Sequence, residues 1–275
     1  MRTPTMAPAV DIAAARAALA VVVPQVTALI RSIRDPLAPA IGVWNAGEVA
    51  VHLAHAWEAL PALSRGELAA PLREPGELAP FTISLVRSDP CRDLEVTAAR
   101  IDAAASAYLA TRMPDDAPRQ WMFAGTALPP SAFACHLLNE SLVHGYDIAR
   151  SQGRRWRIQQ AHAGMAIMGF LFPVLSMVDP RFALDRRHAA GVRARVEIRV
   201  RRTGRVVLVL DDGALTVEPP SRRSVDCHVS AEPVALFLRI WSRTAPWPAL
   251  LTGRLAMWGR RPSIGMRLPR MLRNP

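Results

Sequence analysis

The stretch His136–Arg150, HLLNESLVHGYDIAR, decides how the rest of the chain is read. It reads as a helix, and Gly153 is a natural stop just beyond it. Glu140 and His144 stand at i and i+4, so their side chains share one helical face a turn apart. A carboxylate and an imidazole so placed can hold two corners of a tetrahedral zinc site. A third ligand has to come from elsewhere. His52, in the upstream helical stretch GEVAVHLAHAW, is the candidate. Asp147, three residues past His144, is placed to orient an imidazole. Two alternatives stay open: His55 lies nearly one turn from His52, and His136 lies one turn before Glu140. A single helix would then offer His136, Glu140 and His144, but two turns span about 11 Å, too far for both histidines to reach one ion comfortably.

Working outward, the first half reads as helices separated by proline-rich connections. A helix is expected over about Val10 to Ser32, with Pro24 as a kink. Arg34 to Ile41 reads as a loop, and Asn45 as the N-cap of a helix over about Ala46 to Ser64. Arg65 to Pro80 reads as irregular. A third helix follows over about Arg92 to Thr111, because Leu94, Ala98, Ile101, Ala105 and Tyr108 recur at helical spacing. After a loop containing Pro114, Pro118, Pro129 and Pro130 comes the helix of Glu140, over about Ser131 to Ser151. Four such helices with a long crossover suggest an irregular four-helix bundle.

The second half changes character. An apolar helix is expected over about Gln159 to Val178. Arg193 to Arg201 then alternates strictly, with Val196, Ile198 and Val200 on one face, as in a half-buried antiparallel strand. Arg205 to Leu210 is a second strand, and Asp211-Asp212-Gly213 a hairpin turn. Leu215 to Glu218 and Asp226 to Ser230 extend a small sheet. Ala231 to Trp241 reads as a helix, Gly253 to Trp258 as a last strand and Pro262 to Leu272 as a closing helix. The expected fold class is mainly α with α+β: residues 1–153 form the bundle and residues 154–275 a small α+β domain.

Composition bounds the function. The chain of 275 residues is 51% hydrophobic and 21% charged, which fits a globular protein. Cys91, Cys135 and Cys227 form no CxxC pair, which fits a reducing compartment. The N-terminal stretch is interrupted by Asp11 and Arg16 and does not read as a secretory signal. The longest apolar run, Gly164 to Val178, falls short of the about 20 residues of a bilayer span. A cytoplasmic protein is expected. Net charge is +11, and all 34 basic residues are arginine. Residues 1–153 hold 12 Arg against 15 acidic residues; residues 154–275 hold 22 against 8. The second half should therefore attract anions.

Trp44-x3-Glu48-Val49-x2-His52-Leu53-Ala54, followed by Glu140-x3-His144-Gly145-Tyr146-Asp147-Ile148-Ala149, resembles the mycothiol-dependent maleylpyruvate isomerase family. Asp226 to Ala235, Leu236 to Ile240 and Gly253-Arg254 through Pro262 look like that family's small C-terminal domain. The resemblance covers most of the chain in order. It implies a DinB-like metal-binding four-helix bundle followed by a domain similar to sterol carrier protein 2 (SCP2-like). It also implies Zn2+, or another divalent metal, held by His52, Glu140 and His144 with a fourth position open. Mycothiol, a low-molecular-weight thiol, would bind there and act on a small-molecule electrophile by isomerisation or S-transfer. The family likeness makes Arg254 the expected catalytic arginine, since a guanidinium pairs with carboxylates.

No cysteine of the chain need react; Cys135 reads as a small core hydrophobe. Trp44, Trp57, Trp241, Trp247 and Trp258 read as packing residues. A monomer or homodimer without membrane or nucleic-acid partners is expected, because the aromatics are not interleaved with the arginines as a single-strand platform requires. The alternative is a non-catalytic carrier with an SCP2-like apolar pocket.

Overall fold

In the computed structural model, which describes residues 10–69, 71–74, 76–112 and 117–273, the chain divides into two compact units, residues 11–158 and residues from Gln159 onward. In the first unit, α1 (Ile12–Arg31) starts at Asp11, whose carboxylate accepts from the Ala13 amide at 3.3 Å. Its buried face carries Leu19, Val22, Val26 and Ile30, and Pro24 lies inside it. A short hairpin, β1 (Pro39–Ile41) and β2 (Trp44–Asn45), turns through Gly42 at φ +56°.

Helix α2 (Ala46–Arg65) begins with a reciprocal cap. Asn45 Oδ1 accepts from Glu48 N at 2.9 Å, and Glu48 Oε2 accepts from Asn45 N at 3.0 Å. Helix α3 (Leu78–Ser88) leads to α4 (Leu94–Ala110), capped by Asp93. A second small hairpin pairs β3 (Arg119–Gln120) with β4 (Ala127–Leu128) ahead of α5 (Pro130–Ser151). Helices α1 and α2 each pack against α4 and α5, which makes these four the bundle. Most of the 22 residues of α5 are buried, so this helix has no dry-versus-wet face and its polar side chains must find partners inside the unit.

In the second unit, α6 (Gln160–Ala166) continues through a π-helical turn, Ile167–Leu171, into α7 (Phe172–Met177). Two single turns follow, α8 (Pro180–Ala183) and α9 (Arg186–Ala189). Five strands come next: β5 (Arg193–Val200), β6 (Gly204–Asp211), β7 (Ala214–Glu218), β8 (Cys227–Ala231) and β9 (Leu255–Trp258), in sheet order β7-β6-β5-β8-β9. Between β6 and β7, Asp212 and Gly213 have φ of 48° and 87°, as a two-residue hairpin loop requires. Helices α10 (Pro233–Ile240), α11 (Trp247–Leu251) and α12 (Ser263–Met271) complete the unit. A cavity among Phe172, Ile198, Val229, Leu236, Leu255 and Leu268 holds about 30 Å³.

The fold class, mainly α with α+β, is as the sequence implies. Several elements differ. Helix α3 forms where an irregular stretch was expected to run on to Pro80, and both short hairpins occupy stretches expected to be loops. Pro114 lies outside the described residues. β5 pairs antiparallel with β6 but parallel with β8, so the sheet is mixed. The apolar run is longer than expected: Ile12–Arg31 and Gln160–Met177 are both long and apolar enough to cross a bilayer. In the fold, however, α1 packs on α4 and α5, and α6 on α10. Trp247 and Trp258 are 63% and 49% exposed, against the expectation of packing roles; Trp258 stacks on His228.

Candidate metal centre

His52 projects from the second turn of α2, and His136, Glu140 and His144 lie on successive turns of one face of α5. Because α2 packs on α5, His52 of one helix meets the row of the other. The two imidazoles converge on a single oxygen. His52 Nε2 lies 3.5 Å and His144 Nε2 3.3 Å from Glu140 Oε2. One donor atom from each of the three residues lies within 4.8 Å of the others. Zinc-to-ligand bonds of about 2.0–2.2 Å place neighbouring tetrahedral donors about 3.3–3.6 Å apart, so the two measured edges match such a shell. The side chains keep 16%, 13% and 10% exposure for His52, Glu140 and His144, so the donors are enclosed but not sealed from solvent.

The proton count makes the fit sharper. His144 Nδ1 lies 3.2 Å from Asp147 Oδ2, and a buried carboxylate can only accept. Nδ1 therefore carries hydrogen, and Nε2 either bears a second proton or offers a lone pair. A bare lone pair facing Glu140 Oε2 would be repelled, so the geometry calls for a cation there, either a proton or a metal ion. The same demand appears in the titration of the groups. Burial opposes charge on His144, yet Asp147 and Glu140 outweigh it and raise its pKa to about 9. Burial likewise opposes charge on Glu140, but hydrogen bonds from His136, His144 and His52 hold it well below the usual carboxylate range. His52 goes the other way: burial dominates over the Glu140 hydrogen bond and lowers its pKa. The residues present fit a small divalent cation with two imidazoles and one carboxylate oxygen. Asp147 orients His144 in the way ligating histidines are commonly held.

Among the described residues, no further His, Cys, Asp or Glu donor joins these three. His55 turns elsewhere, with Nε2 2.7 Å from Asp89 Oδ2. His136 reaches Glu140 through the other oxygen, Oε1, at 3.3 Å. Cys135 is fully buried, and burial pushes its thiol up to about 12, which suits a core residue and not a nucleophile. Arg254 belongs to the second unit; it is exposed, and its Nε donates to Thr252 Oγ1 at 3.0 Å. Arg260 pairs with Asp226, and Arg261 donates to the Arg193 carbonyl, so both brace the sheet.

Two features of the site were not read from the sequence. The Trp44 ring lies 4.7 Å from the His52 ring, where only a packing role was expected. Gly145 owes its place to Trp156, since a Cβ there would meet the indole at 2.7 Å.

No family model and no curated protein matches this chain. Its fold is similar to the crystal structure of the mycothiol-dependent maleylpyruvate isomerase, at TM-score 0.54 and 12% identity, over 86% of this chain and 90% of that chain. At that identity the likeness shows the fold alone: mainly α with a small mixed sheet. Two structures of a sec-alkylsulfatase also match. One is the stereoselective inverting enzyme from Pseudomonas sp. (15% identity, 53% of this chain, TM-score 0.33). The other is a double mutant of it (14% identity, 84% of this chain, TM-score 0.34). The chain spans only 25% and 32% of those sulfatase chains, and TM-scores so low carry no argument.

Proposed function

We propose that the protein is a zinc-dependent enzyme of the maleylpyruvate isomerase type. It would use mycothiol as nucleophile in isomerisation or S-transfer on an electrophilic, anionic small molecule. The supporting observation is the convergence of His52 and His144 on one oxygen of Glu140, in a fold shared with a mycothiol-dependent isomerase. His52, Glu140 and His144 would hold the ion, and Asp147 keeps the His144 proton on Nδ1 so that Nε2 faces the ion. Bound there, zinc would hold a thiol as thiolate, the form able to add to and leave an activated double bond or to remain on an electrophilic carbon. The Trp44 ring, 4.7 Å from the His52 ring, would shield one side of that ligand. Residues 1–153 would be the DinB-like metal-binding bundle and residues 154–275 the SCP2-like domain, with Arg254 the proposed catalytic arginine. A cytoplasmic monomer or homodimer, with no membrane or nucleic-acid partner, is part of the same reading. The carrier alternative would rest on the apolar cavity of the second unit, lined by residues that include Phe172, Ile198, Val229 and Leu268.

Metal analysis of the purified wild type and of the His52→Ala, His144→Ala and double variants tests the site. One zinc per chain is expected in the wild type and none in the double variant. Full occupancy surviving in the double variant would sink the proposal. With cobalt in place of zinc, titration of mycothiol should change the visible spectrum as sulfur joins the metal.

A further inference from the structure

His136 is 4% exposed and sits one turn before Glu140, as His144 sits one turn after it. Its surroundings differ in one decisive respect. Trp121, 5% exposed and directly after β3, points its indole nitrogen at His136 Nδ1 at 3.2 Å. An indole N–H can donate and cannot accept. His136 Nδ1 is therefore the bare nitrogen, and the ring proton stands on Nε2, facing Glu140 Oε1 at 3.3 Å. Asn139 Nδ2 donates to the same oxygen at 3.2 Å. The two oxygens of Glu140 are thus sorted: Oε1 takes two N–H donors, and Oε2 takes the two imidazole nitrogens of His52 and His144.

We infer that Trp121 and His136 are positioning residues that lock the Glu140 carboxylate, holding Oε1 and presenting Oε2 alone to the metal. The inference rests on the metal reading given above. Its consequence is selectivity. A carboxylate offering one oxygen suits a small ion in a low-coordinate shell. A carboxylate free to rotate can present both oxygens and favours ions that take six or more oxygen ligands. The lock should therefore favour zinc over manganese or calcium.

Zinc and manganese affinities, measured by competition with a chelator on the full chain, test this. Trp121→Phe keeps the ring and removes the N–H; His136→Phe removes the relay; His136→Gln keeps an acceptor for Trp121 and a donor for Glu140. Trp121→Phe and His136→Phe should weaken zinc about 10–100-fold, as loss of ligand-orienting partners does. They should lower the ratio of zinc to manganese affinity, and His136→Gln should recover most of both. Nitrogen NMR of the metal-free wild type should find the His136 proton on Nε2. A proton on Nδ1, or wild-type zinc affinity in both Phe variants while His144→Ala loses the metal, overturns the lock and leaves the metal site standing. A wild type that binds no zinc overturns the metal reading and the lock together. If His136→Phe fails to fold, Trp121→Phe and the NMR measurement decide.

Discussion

Asp89 braces the helix that carries His52, and its removal has a worked cost. The carboxylate follows α3, is 6% exposed, and receives Arg100 Nη1 at 2.8 Å and the Cys91 amide at 2.8 Å, with His55 Nε2 at 2.7 Å. Burial alone would push this carboxyl up. Arg100, the Cys91 amide and His55 outweigh it and bring it from 3.8 down to about 2. A carboxyl depressed in the folded state stabilises fully above its unfolded pKa, and that contribution is lost as pH falls from about 4 to about 2. At about 1.4 kcal/mol per pH unit, the contribution is about 2 kcal/mol at neutral pH. Asp89→Asn keeps the shape and removes the charge. Arg100 retains Glu58 on its other nitrogens, at 2.7 and 2.9 Å, so no guanidinium is stranded. The loss should therefore stay below the about 3–5 kcal/mol of a broken buried pair. Urea unfolding of wild type and variant should differ by about 2 kcal/mol at pH 7, about 1 kcal/mol at pH 3 and a few tenths at pH 2. A gap under about 0.5 kcal/mol at pH 7, or one unchanged between pH 7 and pH 2, would refute the reasoning.

Three further outcomes follow from the same structure. His144, raised to about 9, must shed one proton to ligate, whereas His52 is already neutral; apparent zinc affinity should rise about tenfold per pH unit up to about pH 9, and calorimetry should find one proton released, not two. Gly145→Ala should lower the thermal midpoint, because overpacking against Trp156 costs about 1–3 kcal/mol against about 1 kcal/mol of helix propensity gained, and the loss should shrink when Trp156→Leu is added. Trp57→Ala removes a fully buried ring whose Nε1 donates to Ser141 Oγ at 3.2 Å; a loss of about 3–5 kcal/mol in chemical unfolding is expected, and a loss under about 1 kcal/mol would place Trp57 outside the core.

The long elements were legible because their periodicity is long. α1, α2, α4 and α5 each carry several turns of apolar spacing, and Asn45 with Glu48 forms the cap that marks the start of α2. β5 showed its alternation, and the β6–β7 turn its Asp-Gly pair. What escaped was short or non-local. The two hairpins have strands of two or three residues, too few for a period to register. α3 spans 11 residues and carries Leu78, Phe81, Leu85 and Val86 at helical spacing, but Pro80 in its first turn reads as a loop residue and hides its start. The parallel pairing of β5 with β8 joins residues about thirty apart, and alternation within one strand does not say on which side, or in which direction, its neighbour runs.

The site shows the same division at finer grain. Spacing places His136 and His144 symmetrically, each one turn from Glu140, and the sequence alone left either open as a ligand. The difference lies in what touches Nδ1. Asp147 accepts there, so His144 keeps its proton on that side and turns a cation-seeking nitrogen toward Glu140 Oε2. Trp121 donates there, so His136 turns an N–H toward Glu140 Oε1. Asp147 lies one turn away on the same helix and could be read from the motif. Trp121 arrives from a hairpin region whose position only the folded bundle defines. Two histidines in equivalent helical register are thus assigned opposite chemistry by the hydrogen-bonding sign of one neighbour. A metal motif read by spacing alone cannot distinguish the nitrogen that can bind the ion from the one that aims its partner.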